Sequence, residues 1–518
     1  MNRKCQWKHV ALRSERDFLL NSVNFPGKSS DYYSYRHELL WNQLWQGLNF
    51  GSKAAFLLLL TPMMLSRWGS EGYGLFALAS SLLVSMALLD GGVRALTRIQ
   101  MADAWKRGDF DSMEQVYSEG LLTFASVSLI AVAACTILSR SGCLSAWFHL
   151  PPGGSGVLVM TVICTSVLMT SILGLEPLAA KGNLSTLKAS NTLGALAAIP
   201  ACALLVFLGA GVGPVIITYA ACMTLPNLVV AYRHDLFAMI PWSRLRAFTP
   251  RAALRTLRSG FWYYLTTVSL IGKTHALTFL VSAIAGPGEA GIFYILLRFS
   301  EIISNVASTS SETSLAALTA ASGTDERRVC FTQSWRHVAL FSIQGALIFL
   351  FMTGHLLALW LHGEITVPAW IGLGLAIFGL TGSFSRVVVN SSMGLGLTHY
   401  AATAGFGEAI VGILGAYAGY HAGGLTGLLL GGSLGSLCLL PVTRKITMSC
   451  AMAGKRSAVA LWMLPLKPLL PGIFGSAIIL WSSALIGSLP CLLGISLSGL
   501  ITLWELKRLH SPSSRTEF

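Results

Sequence analysis

Residues 71–99, EGYGLFALASSLLVSMALLDGGVRALTRI, form a long apolar run that contains Asp90 and Arg94, with Arg98 close to its end. The spacing of four places these three side chains on one face of a helix. A charged group at membrane depth is costly and usually faces a partner or a water-filled cavity. We therefore expect either an Asp90–Arg94 ion pair, with Arg98 reaching water, or a role for this face in a cavity open to the cytoplasm.

The composition of the 518-residue chain is that of an integral membrane protein. It is 53% hydrophobic and only 11% charged, whereas soluble domains are about 25% charged. Apolar runs of the length needed to span a bilayer recur throughout. The ten cysteines show no paired spacing, so we expect neither a metal site nor a disulfide framework. No ATP-binding motif is present, and we expect no cofactor.

The apolar runs predict an all-α polytopic membrane protein with about fourteen transmembrane helices, or twelve if the last two do not span. The predicted spans are 44–66, 74–97, 117–138, 156–178, 188–208, 212–232, 260–284, 290–320, 335–360, 367–392, 400–420, 424–443, 468–486 and 489–506.

The distribution of basic residues predicts the orientation. Of the 36 Lys and Arg residues, 29 fall in alternate loops and termini, two (Arg67 and Arg140) fall on the opposite side, and five lie within spans. By the positive-inside rule, both termini are cytoplasmic. This bias also accounts for the net charge of +14 without any nucleic-acid partner.

Local similarity predicts an internal duplication. Gly74 in EGYGLFAL corresponds to Gly291 in GEAGIFYI at an offset of 217 residues, and Gly182 corresponds to Gly396 at an offset of 214. Lys53 and Lys273 correspond at about the same offset. Because six spans separate the copies, the two repeats are parallel and form two lobes around a central cavity, where such transporters bind substrate.

The duplication divides the chain into five segments. They are a polar cytoplasmic segment (1–43), an N-lobe of spans 1–6 (44–232), a basic amphipathic inter-lobe loop (233–259), a C-lobe of spans 7–12 (260–445), and a segment with spans 13–14 and a short cytoplasmic tail (446–518). The inter-lobe loop is either a hinge that contacts anionic lipid or a basic linker that obeys the topology rule.

The charges within the spans supply the candidate site. The expected substrate-binding residues are Lys53, Arg94, Lys273, Arg298, Arg386 and Asn390, and the expected coupling or charge-pair residues are Asp90, Glu301 and Glu408. Arg298 and Glu301, three residues apart, are expected to form a local ion pair. Lys53 and Lys273 either bind substrate or pair with Asp90, Glu301 or Glu408, and Arg386 either pairs with Glu408 or reaches the interface. Five deep cations against three deep acids favour an anionic substrate such as a pyrophosphate.

Residues 70–109 and 290–318 resemble the corresponding hairpins of the multidrug/oligosaccharidyl-lipid/polysaccharide exporter superfamily. The first of these stretches, SEGYGLFALASSLLVSMALLDGGVRALTRIQMADAWKRGD, is similar to the polysaccharide flippase branch. The resemblance implies a non-enzymatic flippase of the bacterial inner membrane. Its substrate would be an isoprenoid-pyrophosphate-linked oligosaccharide for O-antigen, capsule or exopolysaccharide synthesis, moved by alternating access. It also implies two partners, the lipid bilayer and a polysaccharide polymerase complex.

Three alternatives remain open from the sequence. An ion-coupled exporter of cationic drugs would need an unpaired acid in its lumen rather than excess base. A flippase for the peptidoglycan lipid precursor is supported by spans 13–14. A membrane glycan polymerase or ligase usually carries a large extracytoplasmic loop, and the outer loops here are short.

Overall fold

The computed structural model consists of helices and the turns and loops that connect them, over the residues that it describes. These are 29–85, 92–181, 183–236, 249–268, 272–320, 323–361, 365, 367–368, 370–449, 473, 475–480, 495, 497–498 and 500–502. Asp90 and Gly182 lie outside these residues, as does the centre of the predicted inter-lobe loop. Spans 13 and 14 lie mostly outside them.

The N-lobe is built from helices that pack on one another in chain order. They are α1 (Ser29–Ser85), α2 (Val93–Lys106), α3 (Phe110–Arg140), α4 (Cys143–Phe148), α5 (Gly154–Leu173), α6 (Glu176–Ala180), α7 (Leu184–Phe207) and α8 (Val212–Arg233). Helix α8 packs on α5 and α7, and α7 packs on α1.

The C-lobe has the same order of long helices. They are α9 (Pro250–Thr267), α10 (Lys273–Ala285), α11 (Pro287–Ala320), α12 (Thr324–Trp360), α13 (Ile371–Gly394), α14 (Thr398–Ser433), a 3₁₀ turn (Leu434–Leu439) and α15 (Leu440–Ser449). Helix α13 packs on α11, α12 and α14.

Twelve crossings can be traced through the described residues. Eight helical stretches are long and apolar enough to span a membrane. Two of these, Gly47–Ser85 and Thr398–Ile446, each hold two crossings, because the backbone turns at Gly69 in the first and at Gly423 and Gly424 in the second. The broken pair α9–α10 and the long, partly polar α11 supply the other two. The prediction of a multi-pass all-helical protein is confirmed.

The described helices do not coincide with three of the predicted spans. The first helix is already present at Ser29, before the predicted span start at 44, so part of the predicted polar segment is helical. Helix α2 starts at Val93 after a left-handed Gly92, so one helix does not run unbroken through the predicted second span. Helix α9 starts at Pro250, ten residues before the predicted seventh span. A helix satisfies its backbone hydrogen bonds internally, so it can continue through polar residues beyond the membrane. Hydropathy therefore locates the membrane span but not the end of the helix.

The two lobes touch at repeat-related glycines. A Cβ on Gly291 would lie 3.0 Å from the Gly74 nitrogen, and one on Gly74 would lie 1.7 Å from the Pro287 carbonyl oxygen. Two equivalent residues, one from each repeat, can contact each other in this way only where the two-fold axis that relates the repeats passes between them. The pairing of Gly74 with Gly291 by sequence offset therefore locates the axis between α1 and α11.

A second contact between the lobes lies further along the chain from Gly74. A Cβ on Gly92 would lie 2.2 Å from the Gly260 carbonyl oxygen, and Arg255 approaches Glu119 at 3.7 Å. The lobes are thus in contact at two separate places.

Candidate substrate cavity

A small polar cavity lies within the C-lobe, between α10, α11, α13 and α14. Its volume is about 30 Å³, and its lining includes Lys273, Glu301, Arg386 and Glu408 together with serine and glycine residues. This volume holds about two water molecules. Four of the charged residues that the sequence singled out therefore converge, although they do so inside one lobe rather than midway between the two.

Lys273 and Glu408 form a buried ion pair. Lys273 Nζ donates to Glu408 Oε1 at 2.6 Å, and Ser385 Oγ donates to Glu408 Oε2 at 2.7 Å. The side chains are 6% and 0% exposed. Of the two roles expected for Lys273, the structure shows the pairing with Glu408. Glu408, which was one of the partners expected for Arg386, is thus bound by Lys273 and Ser385.

Arg298 and Glu301 form the expected local pair on α11. Arg298 also donates to the Tyr294 hydroxyl. From α10, His275 Nε2 lies 3.8 Å from Glu301 Oε1. Glu301 lines the cavity, so Arg298 and His275 approach a carboxylate that faces it.

Lys53 reaches this region from the other lobe. Helix α1 packs on α11, and Lys53 lies within electrostatic range of Arg298 and Glu301. Its side chain is exposed, and among the described residues it has no ion-pair or hydrogen-bond partner. The repeat-related lysines therefore differ, since Lys273 is buried and paired while Lys53 is accessible and unpaired.

Arg386 and Asn390 are one helical turn apart on α13. Arg386 lines the cavity and is half-buried, so it does not simply reach the interface. Asn390 is buried, but it is not among the residues that line the cavity.

Arg94 binds a residue that the sequence analysis had not selected. Its Nε donates to Glu176 Oε1 at 2.6 Å, while Arg98 Nε donates to Glu176 Oε2 at 2.6 Å. The Glu176 side chain is 0% exposed, and the two arginines are 35% and 37% exposed. This triad links α2 to α6, so the structure does not bring Arg94 to the C-lobe cavity. The expected Asp90–Arg94 pair involves a residue outside the described part of the chain.

Sequence reasoning missed Glu176 and His275. Glu176 stands in EPLAAKG, at the very end of the predicted span 156–178, where an acidic residue is easily taken for part of the following solvated loop. His275 is only two residues from Lys273, and this spacing gives no reason to select it as a site residue. The described residues contain no group of three or more His, Cys, Asp or Glu side chains placed to hold a metal ion.

Comparison with solved structures identifies the fold. The chain is similar to the lipid II flippase MurJ in an inward closed conformation, with a TM-score of 0.64 and 13% identity over 89% of this chain and 99% of that one. It is also similar to an inward-facing MATE multidrug transporter of the MOP superfamily, with a TM-score of 0.59 and 14% identity over 80% and 96% of the two chains. A eukaryotic MATE transporter, AtDTX14, gives a TM-score of 0.55 and 14% identity over 84% and 99%.

No sequence model of a protein family matches the chain, and no curated protein matches it. The solved structures nonetheless confirm the fold of the multidrug/oligosaccharidyl-lipid/polysaccharide exporter superfamily, which was expected from residues 70–109 and 290–318.

Proposed function

We propose that this protein, which has the fold of the exporter superfamily, is a transporter that flips an isoprenoid-pyrophosphate-linked oligosaccharide across the bacterial inner membrane. The two lobes contact each other at Gly74 and at Gly92, and the C-lobe cavity of about 30 Å³ is far too small for a glycan. Transport would therefore require one of the two contacts to open.

The pairing of the deep charges is the observation that supports an anionic substrate. The three deep carboxylates among the described side chains, Glu176, Glu301 and Glu408, each have a cation. Among the described residues Lys53 has no ion-pair partner, and it lies within electrostatic range of Arg298. A lumen for cationic drugs needs an available carboxylate, whereas this one offers an available ammonium group next to a guanidinium, both of which bind phosphate oxygens well.

The experiment is deletion of the gene, followed by analysis of lipid-linked oligosaccharides and surface polysaccharide. We expect complete repeat units to accumulate on their lipid carrier, facing the cytoplasm, while surface polysaccharide is lost. Complementation with Lys53→Ala should fail or restore less than a tenth of the surface polysaccharide, because one phosphate contact is lost. Lys53→Arg should restore most of it, and Lys106→Ala, on an exposed cytoplasmic side chain, should behave as wild type.

Other outcomes would favour the other functions. Normal glycans with new sensitivity to cationic dyes would contradict the proposal and favour drug export. Repeat units that reach the periplasm unpolymerised would favour a polymerase. The peptidoglycan precursor is also a pyrophosphate-linked lipid and so fits the same cavity, and cell lysis on depletion would identify it as the substrate.

A further inference from the structure

His275 is a buried titratable side chain that the proposed function does not yet use. Its side chain is 4% exposed, and Nε2 lies 3.8 Å from Glu301 Oε1. Within the described part of the chain, Nδ1 has no hydrogen-bond partner. The 3.8 Å separation is longer than a hydrogen bond, so the imidazole lies beside the carboxylate without being hydrogen-bonded to it.

Glu301 is paired with Arg298, and a bound anionic substrate would compete with Glu301 for this arginine. Arg298 is 21% exposed and Glu301 is 13% exposed. A pyrophosphate that entered next to Lys53 would attract the Arg298 guanidinium, which binds phosphate by two parallel hydrogen bonds. Glu301 would then be a poorly solvated carboxylate that has lost its hydrogen-bonded cation, a costly arrangement.

Resting on the proposed function, we propose that His275 and Glu301 together take up one proton when the substrate pyrophosphate draws Arg298 away from Glu301. The buffer in the surrounding solution releases the proton and becomes its conjugate base, no covalent bond to carbon or phosphorus changes, and the pair holds the proton between imidazole Nε2 and the carboxylate. His275 is thus a positioning residue that replaces Arg298 as the partner of Glu301 in the loaded state.

The charges around the pair explain why the proton would arrive with the substrate. Lys53 from α1 and Arg386 from α13 face Glu301 or His275 together with Arg298, whereas Lys273 is neutralised by Glu408. In the empty cavity the pair therefore faces three cations. A pyrophosphate diester brings two negative charges, and negative charge nearby favours the protonated forms.

The experiment measures proton uptake on binding. The purified full-length protein in detergent is titrated calorimetrically with UDP-glucose, a soluble pyrophosphate diester that carries a sugar, in two buffers of different ionisation enthalpy near neutral pH. We expect about one proton to be taken up per bound molecule. His275→Gln, which keeps a hydrogen-bond donor but cannot titrate in this range, should abolish the uptake while affinity falls less than about tenfold.

Two further variants control the result. Glu301→Gln should also abolish the uptake, which keeps the test decisive if His275→Gln is unstable. His355→Gln, on α12 and away from the cavity, should leave it unchanged. Binding of UDP-glucose by the wild type without proton uptake would overturn this inference alone and leave the proposed function intact. Absence of binding by the wild type would overturn the anion site and this inference together.

Discussion

The two lobes share one chain order, but their buried polar groups differ. Ser171 in the N-lobe and Ser385 in the C-lobe are related by the offset of 214 residues. Ser171 Oγ accepts from Asn227 Nδ2 at 3.2 Å, and the centre of that N-lobe network is a neutral amide. Ser385 Oγ donates at 2.7 Å to Glu408, whose carboxylate binds Lys273. The same helix position therefore supports a neutral network in one lobe and an ionic one in the other.

A second pair of repeat-related positions shows the opposite pattern, with the charged residue in the N-lobe and the neutral amide in the C-lobe. Glu176 of the N-lobe corresponds to Asn390 of the C-lobe at the same offset. Glu176 is ionic and binds Arg94 and Arg98 at the end of α2, whereas Asn390 is a buried amide. The buried ionic group of the N-lobe, around Glu176, thus lies at the end of its lobe, whereas that of the C-lobe, around Glu408, lies in the middle. On the proposed function, the C-lobe is the half that would recognise the charged substrate, with Lys53 as the N-lobe contribution.

The largest expected effect comes from breaking the ionic network of the C-lobe. Glu408→Ala leaves the Lys273 ammonium group buried without a partner, and we expect it to lower the free energy of unfolding by about 3–5 kcal/mol. In the N-lobe, Asn227→Ala leaves only neutral hydroxyls unsatisfied and should cost about 1–3 kcal/mol. Denaturation of the purified proteins in mixed micelles measures both.

A double variant tests whether the loss is due to the unpaired charge. Lys273→Met combined with Glu408→Gln removes both charges and keeps the volume similar, so most of the stability should return. If the double variant is as unstable as Glu408→Ala, packing rather than charge distinguishes the lobes at this position.

The contact between the repeat-related glycines should give a smaller and unequal effect. Gly74→Ala places a methyl group 1.7 Å from the Pro287 oxygen, and backbone cannot move aside as a side chain can. We expect a loss of about 1–3 kcal/mol and, on the proposed function, reduced transport, because the methyl group would keep the two lobes from closing at this contact. Gly291→Ala meets its nearest atom at 3.0 Å and should cost less.

Gly156→Ala is the matched control for both glycine variants. It lies in α5 with no atom within 4 Å of the added Cβ, and it should be neutral or slightly stabilising, since alanine is the better helix former. Equal losses at Gly74 and Gly156 would contradict the assignment of Gly74 to a close contact between lobes.

Local sequence patterns predicted part of the site. The Arg298–Glu301 pair follows from a spacing of three on one helix, and the lobes follow from offsets between similar motifs. Lys273 and Glu408, in contrast, are 135 residues apart, and Arg94 and Glu176 are 82 apart. Such partners are set by which helices pack together, and helical spacing carries no information about that choice.

The same reason explains why Lys53 and Lys273 were expected to behave alike. Their equivalence comes from the repeat, while their difference comes from the facing helix. Glu408 lies on α14 opposite Lys273, and its counterpart at the offset of 214 is Gly194, which offers no carboxylate. A repeat predicts where a residue lies in the fold, but only the other helices decide whether it is paired.

The smallest expected effect concerns the start of the third long helix in each lobe. Helix α3 begins after Asp109, whose carboxylate accepts from the Ser112 backbone N–H at 3.0 Å. Helix α12 begins after Gly323, which is extended (φ −115°, ψ 159°) and provides no side-chain cap. Gly323→Asp fits that backbone and should stabilise the protein by a few tenths of a kcal/mol, about the difference between glycine and a capping side chain.

The charged cap should also make the N-lobe helix sensitive to acid. The side-chain and backbone hydrogen bonds from Ser112 lower the pKa of Asp109 below its usual value. Because the folded-state pKa is the lower one, the stabilisation is present above the unfolded-state pKa and is lost as the pH falls through the folded-state value. Asp109→Asn keeps a capping oxygen without the titration, so its thermal stability should fall less than that of the wild type on acidification. Parallel curves for the two proteins would mean that the acid sensitivity lies in the ionic pairs of the C-lobe instead.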